Sequence, residues 1–309
     1  MKQSYDSICC FRSNNSVDKR LLWEITTKCN LFCGFCHRTD KSSYDTDFNH
    51  IKNILPFLKQ IGIKEIIISG GEPLLRGDIF MIIQTLKEEG FEVDMCTNGT
   101  IITSKIAFKL SQLLSEISVS IDSNIPSKHD LLRRKSGAWH KTVSGIRILQ
   151  EYGLKVHSIS LVNSSNMIDI EDTVKYLYEL GIQSMAFIGY IPVGTGVNDL
   201  LSEECQMILK RKLKLLRGKY KSVAINTKEL IKESSMKLCK AAQYVYGLDV
   251  NMILKPCILQ RKAGGVDLIK LVNLTTDVVS SRLTQIKNEI LKCNTGQGFC
   301  PGSRSINGK

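Results

Sequence analysis

From Leu21 to about Ile191, short runs of apolar and β-branched residues alternate with longer segments of helical period. The runs are LLWEIT at 21–26, KEIIISG at 64–70, FEVDMCTN at 91–98, EISVSID at 116–122, KVHSISLV at 155–162 and SMAFIGYI at 184–191. Helical period appears near 46–61, 78–89, 103–115, 139–152 and 169–180, and several of these segments stop at a glycine, Gly62, Gly90, Gly153 or Gly181. Glycine is the residue that helix ends prefer. Strands alternating with helices in this way make βα units and a parallel sheet. Six units are too few to close an eightfold barrel, so the pattern predicts an α/β fold in the form of an open, partial (β/α)6 barrel. Its chemistry is expected where the carboxyl ends of the strands meet their loops.

After Gly196 the character changes: a basic helical stretch, LKRKLKLLRGKYK at 209–221, leads into a cysteine-bearing tail with a poorer βα pattern. The expected division is an extension over 1–20, the partial barrel over 21–200, and a basic helical linker with a small cysteine-rich module over 201–309. Hydrophobic content of 43% and charged content of 23% fit a soluble globular chain of 309 residues. No apolar run approaches the roughly 20 residues of a membrane span. The opening MKQSYDSICCFRSNNSVDKR has neither an apolar core nor a cleavage site of small residues, so a cytoplasmic location is expected. In a reducing compartment, eleven cysteines favour metal binding over a disulfide framework. The formal charge of +12 favours acidic or anionic partners.

Three of the cysteines, Cys29, Cys33 and Cys36, fall within TKCNLFCGFC, directly after the first strand. A structural zinc site takes four ligands, and a simple four-iron ferredoxin site needs a fourth cysteine. Three thiolates leave one iron open for a substrate or cofactor. Three more motifs close later strands: Ser69-Gly70-Gly71-Glu72-Pro73 after the second, Thr97-Asn98-Gly99 after the third, and Ser118-Val119-Ser120-Ile121-Asp122 in the fourth. Paired glycines let the backbone approach a ligand closely, and Pro73 stiffens the exit. The alternation of the fourth strand places Ser118, Ser120 and Asp122 on one face, where polar groups need a ligand or water.

Cys-x3-Cys-x2-Cys after strand one, with the aromatic Phe35 before the last cysteine, resembles the radical S-adenosylmethionine (SAM) superfamily, and the resemblance covers about residues 21–195. It implies a 4Fe–4S cluster on Cys29, Cys33 and Cys36 with an open iron that binds SAM. It assigns SAM contacts to Phe35, to Gly70, Gly71 and Glu72 toward the amino group, and to Ser120 and Asp122 toward the ribose and methionine end. Arg133, in HDLLR, is assigned to the carboxylate, a solvated surface arginine being the alternative, and Asn163, in LVN, to adenine or ribose. The implied reaction is reductive cleavage of SAM to a 5′-deoxyadenosyl radical that takes hydrogen from a substrate carbon.

Four further cysteines, Cys239, Cys257, Cys293 and Cys300, stand in the tail. Between the first two, YVYGLDVNMILKP reads as a β-hairpin about Asp249-Val250-Asn251. The layout resembles the Twitch and SPASM auxiliary modules of the same superfamily and implies a second 4Fe–4S cluster; a tetrahedral zinc site or unligated thiols are the alternatives. Two departures from the family pattern are Met252, where glycine is usual, and the wide spacing of Cys293 and Cys300. Cys9, Cys10, Cys96 and Cys205 are left over, and one of them could donate a hydrogen atom in an epimerase. The substrate implied first is a ribosomally made precursor peptide, with electrons from a flavodoxin or ferredoxin. The alternatives are oxidation or epimerisation of an aminosugar, aminocyclitol or other small molecule and, in another class, a non-catalytic iron–sulfur redox sensor. Nucleic acid and membrane are not expected as partners.

Overall fold

The computed structural model describes residues 18–36, 44–189, 201–228, 244–256, 265–270 and 275–292. The chain divides into two compact units. Among the described residues the first unit holds 18–30, 44–95 and everything from 244 onward, and the second holds 31–36, 96–189 and 201–228.

The first unit is built on β1 (Lys19–Glu24), β2 (Ile63–Ser69) and the start of β3 (Glu92–Thr97), joined by helices α1 (Phe48–Gln60) and α2 (Ile79–Glu88). β1 pairs in parallel with β2, and β2 with β3 through Glu65–Ile68 against Glu92–Met95. The run Ile66, Ile67, Ile68 is buried on both faces, as the near-continuous apolar stretch of a covered parallel strand requires. α1 starts where the Asp47 carboxylate accepts the backbone N–H groups of Asn49 and His50. It buries Ile51, Ile54, Leu55 and Leu58, a single helical stripe in which each side chain stabilises by about 1.5–3 kcal/mol.

Late residues complete this unit. β8 (Val245–Leu248) and β9 (Ile253–Lys255) form the predicted hairpin, and β10 (Val266–Asp267) pairs antiparallel with β9. The sequence pattern did not show that β8 also lies in parallel beside β1, with Arg20–Trp23 opposite Val245–Leu248. The hairpin turn is tied by Asp249, whose carboxylate accepts from Asn251 and Ile253 N–H and pairs with Lys255 at 2.8 Å. The Thr46 hydroxyl donates to the Val250 carbonyl at 2.9 Å. Helix α8 (Thr276–Lys292) follows.

The second unit carries the last residues of β3, then β4 (Glu116–Ser120), β5 (Lys155–Val162), β6 (Ser184–Gly189) and β7 (Ala224–Lys228), all parallel and in that order. Its helices are α3 (Ser104–Leu113), α4 (Pro126–Arg133), α5 (Ala138–Glu151), α6 (Ile170–Glu179) and α7 (Glu203–Lys219). The six predicted strands are present to within a few residues. β7 adds a seventh parallel strand, and the basic stretch at 209–221 lies largely in α7. The glycine stops at 62, 90, 153 and 181 have φ between 81° and 85°. The result is a mixed α/β fold. No helix among the described residues is long and apolar enough to cross a membrane.

Candidate functional site

In the first unit, the end of β1 and the loop after β2 are locked together through main chain. Gly71 N–H donates to the Thr26 carbonyl at 2.8 Å, and Glu72 N–H to the Lys28 carbonyl at 2.7 Å. Gly70 sits at φ 125°, and a Cβ there would lie 2.5 Å from the Thr26 carbonyl oxygen. Only glycine fits this approach. Glu72 is fully buried, and its carboxylate accepts from Leu74 N–H at 3.2 Å, opening a short 3-10 turn, Pro73–Leu75. The segment before Cys29 is braced by Asp45, which accepts from the Thr26 hydroxyl at 2.6 Å and pairs with Lys28 at 2.5 Å. Partial burial opposes the Asp45 charge, but Lys28, Thr26 and Arg76 hold its carboxyl below the ordinary value. Buried Arg76 donates to the Ile25 carbonyl at 2.6 Å and pairs with Asp78.

In the second unit, the loop with Cys33 and Cys36 is gripped by the carboxyl end of α4. Gly34 N–H donates to the Leu132 carbonyl at 3.1 Å and Phe32 N–H to that of Arg133 at 3.4 Å. Arg134 ends the helix in the left-handed region, at φ 51°, and a Cβ on Gly34 would lie 3.1 Å from its guanidinium. The Arg133 guanidinium makes a two-pronged pair with Asp122 at 2.6 and 2.8 Å. It lies 4.9 Å above the Phe35 ring and sends Nη1 to within 3.9 Å of Cys33 Sγ. Arg133 is therefore not a solvated surface residue.

Asp122 is buried and also accepts from Leu161 N–H at 3.0 Å, while His129 Nδ1 lies 3.2 Å from both its backbone nitrogen and its carboxylate. Burial works against the charges of both Asp122 and Arg133. Their mutual attraction outweighs it, with His129 adding to the effect on Asp122 and Cys33 to that on Arg133. The Asp122 carboxyl is held well below the carboxylate range and the Arg133 pKa is raised.

Ser120 is half-buried. Ser118 is fully buried, and its hydroxyl has no partner among the described residues. Asn163 spends its side-chain carbonyl on its own turn, accepting from Ser165 and Asn166. Asn166 instead reaches the strand-four end, donating to the Asp122 and Leu161 carbonyls at 2.9 and 2.7 Å. The sequence reading missed Asn166 and Asp45 and gave no role to His129, the first residue of HDLLR. An asparagine three residues after Asn163 is a turn signal that could have pointed to the first. Nothing local marks the other two.

Cys29, Cys33 and Cys36 are each partly exposed. No three metal-binding side chains among the described residues converge on a single ion. Three thiolates are the donor chemistry of an iron–sulfur cluster that leaves one iron without a protein ligand. Cys9, Cys10, Cys239, Cys257, Cys293 and Cys300 lie outside the described residues.

In each unit the carboxyl ends of parallel strands carry candidate site residues: a close-packed glycine loop in the first, and Cys33, Cys36 and a buried charged pair in the second. Residues 23–177 match the Radical SAM superfamily, and the chain belongs to it. The family implies SAM and a 4Fe–4S cluster. An AdoMet-dependent heme synthase of Methanosarcina barkeri is 32% identical over 185 residues, covering 59% of this chain and 53% of that one. A probable GTP 3′,8-cyclase of Methanocaldococcus jannaschii is 28% identical over 251 residues, covering 76% and 83%. In fold, the chain is similar to Streptococcus suis SuiB bound to precursor peptide SuiA, with a TM-score of 0.73 and 16% identity over 85% of this chain and 64% of that one. The chain spans about half the length of the first curated relatives it matches.

Proposed function

We propose that Cys29, Cys33 and Cys36 hold a 4Fe–4S cluster with one open iron, and that the protein uses SAM to abstract hydrogen from a carbon of an anionic substrate. When bound, cluster and SAM together supply the 5′-deoxyadenosyl radical. The chain's part is to hold and orient. Gly70, Gly71 and Glu72 offer SAM a backbone surface that the Thr26 and Lys28 contacts keep rigid. Phe35, with its ring against the Arg133 guanidinium, offers SAM an aromatic contact. Ser120, Asp122, Arg133 and Asn163 supply the polar side, with Asp122 and Arg133 keeping each other charged. The observation that carries this reading is the loop with Cys33 and Cys36, held by α4.

The substrate proposed first is a precursor peptide. Support comes from the charge of +12 and from the fold shared with SuiB, a structure that holds its precursor peptide. A small-molecule substrate is the second reading, supported by the relatives named for heme and GTP. For the tail, we propose a second cluster on Cys239, Cys257, Cys293 and Cys300. The β8–β9 hairpin between the first two is the support for it. A flavodoxin or ferredoxin would supply the electron.

Anaerobic reconstitution of the full chain with iron and sulfide, then SAM and a strong reductant, should yield 5′-deoxyadenosine. The triple variant C29A/C33A/C36A should yield none and lose about half of the bound iron if both clusters form. A wild-type chain that binds iron yet forms no 5′-deoxyadenosine would sink the reading.

A further inference from the structure

We infer that Arg133 is a positioning residue that sets the reduction potential of the cluster through the Cys33 sulfur, with Asp122 as its counterweight. The inference rests on the cluster assignment above. Arg133 grips the cysteine loop twice. Its backbone carbonyl accepts from Phe32 N–H, next to the bond from Gly34 to Leu132, and this fixes the loop. Its side chain commits Nε and Nη2 to Asp122 and leaves Nη1 directed at Cys33 Sγ, 3.9 Å away, with the Phe35 ring against its face. The potential of an iron–sulfur cluster follows its net charge and the hydrogen bonds to its sulfurs. One added electron makes the cluster more negative, so an N–H donor and a fixed positive charge at one ligand favour the reduced form. Arginine keeps its charge at every working pH. Arg133 is 7% exposed and Asp122 2%, so little water screens either. Asp122 holds the guanidinium in place and offsets part of its field.

Opposite signs follow for the two partners. A merely structural role would not produce them. The experiment is a redox titration, followed by electron paramagnetic resonance, of the reconstituted full chain without SAM or substrate. At the potential where the wild-type cluster on Cys29, Cys33 and Cys36 is half reduced, R133Q should lower the ratio of reduced to oxidised cluster about tenfold, equivalent to about 59 mV for a one-electron couple. D122N should raise the ratio, and R133K should fall between R133Q and wild type. In the metal-free chain, hydrogen exchange at Phe32 and Gly34 should be the same in R133Q as in wild type, because their acceptors are main-chain carbonyls.

Wild-type iron content with an unmoved potential in R133Q overturns the inference. So does a D122N shift of the same sign as that of R133Q, or loss of protection at Phe32 and Gly34. If R133Q takes up no iron, D122N decides alone: a raised ratio supports the inference and an unchanged one overturns it. A wild-type chain that binds no iron removes the cluster assignment as well, which separates failure of the reading from failure of the inference.

Discussion

In the first unit the loop after β2 is fixed by main chain: Gly70 against Thr26, and Glu72 N–H on Lys28. In the second unit the end of β4 is fixed by charged side chains, with Asp122, Arg133 and His129 packed away from water. A backbone contact of the first kind fails by steric intrusion and is indifferent to pH. A buried ion pair tolerates small changes of shape but not the loss of one partner's charge. The two loops should therefore respond to different perturbations.

The largest effect is expected from Asp122→Ala, which leaves a buried guanidinium without its counter-ion and should cost about 3–5 kcal/mol in urea unfolding. A cost under about 1 kcal/mol would remove the contrast between the two loops. The same pair carries a pH signature. The Asp122 carboxyl is depressed on folding, so its contribution is fully present above the unfolded carboxylate value of about 3.9 and is lost as the pH falls through the folded value. Between these limits the unfolded state binds more protons, so stability should rise with pH there, and the slope should be shallower in Asp122→Asn. Next comes Gly70→Ala, where positive φ and a 2.5 Å approach coincide. It should cost about 2–3 kcal/mol with no change in pH slope. Gly77→Ala, with nothing within 4 Å of the added Cβ, is the control and should cost under about 1 kcal/mol. The smallest effect belongs to the exposed Lys59–Glu89 pair, whose removal should change stability by about 0.5 kcal/mol or less.

How far the sequence revealed this structure depended on the range of the interaction. The strands and their helices were legible because period and glycine stops are local properties. Cys29, Cys33, Cys36 and the Gly70–Glu72 loop stood out as candidates because each is a short contiguous word. Strand four gave its polar face by alternation, yet the consequence of Asp122 was hidden. Its partner lies eleven residues on, across a helix whose start at Pro126 interrupts a polar stretch, and neither charge reads as buried from composition. Gly145 was equally silent. A Cβ there would lie 2.3 Å from the Gly99 carbonyl, so a mid-helix glycine marks where α5 rests on the Thr97-Asn98-Gly99 turn. The pairing of β8 with β1 joins residues more than two hundred positions apart, which no local window contains.

That pairing also sets a timetable. On a ribosome adding about 5–20 residues each second, β1 emerges early and finds β2 within seconds. Its other edge, from Arg20 to Trp23, waits for Val245–Leu248. The nascent chain thus carries an open parallel edge directly before the cysteine loop for on the order of ten seconds or more. Chaperone dependence and iron loading should both follow the arrival of the β8–β9 hairpin rather than completion of the cysteine motif.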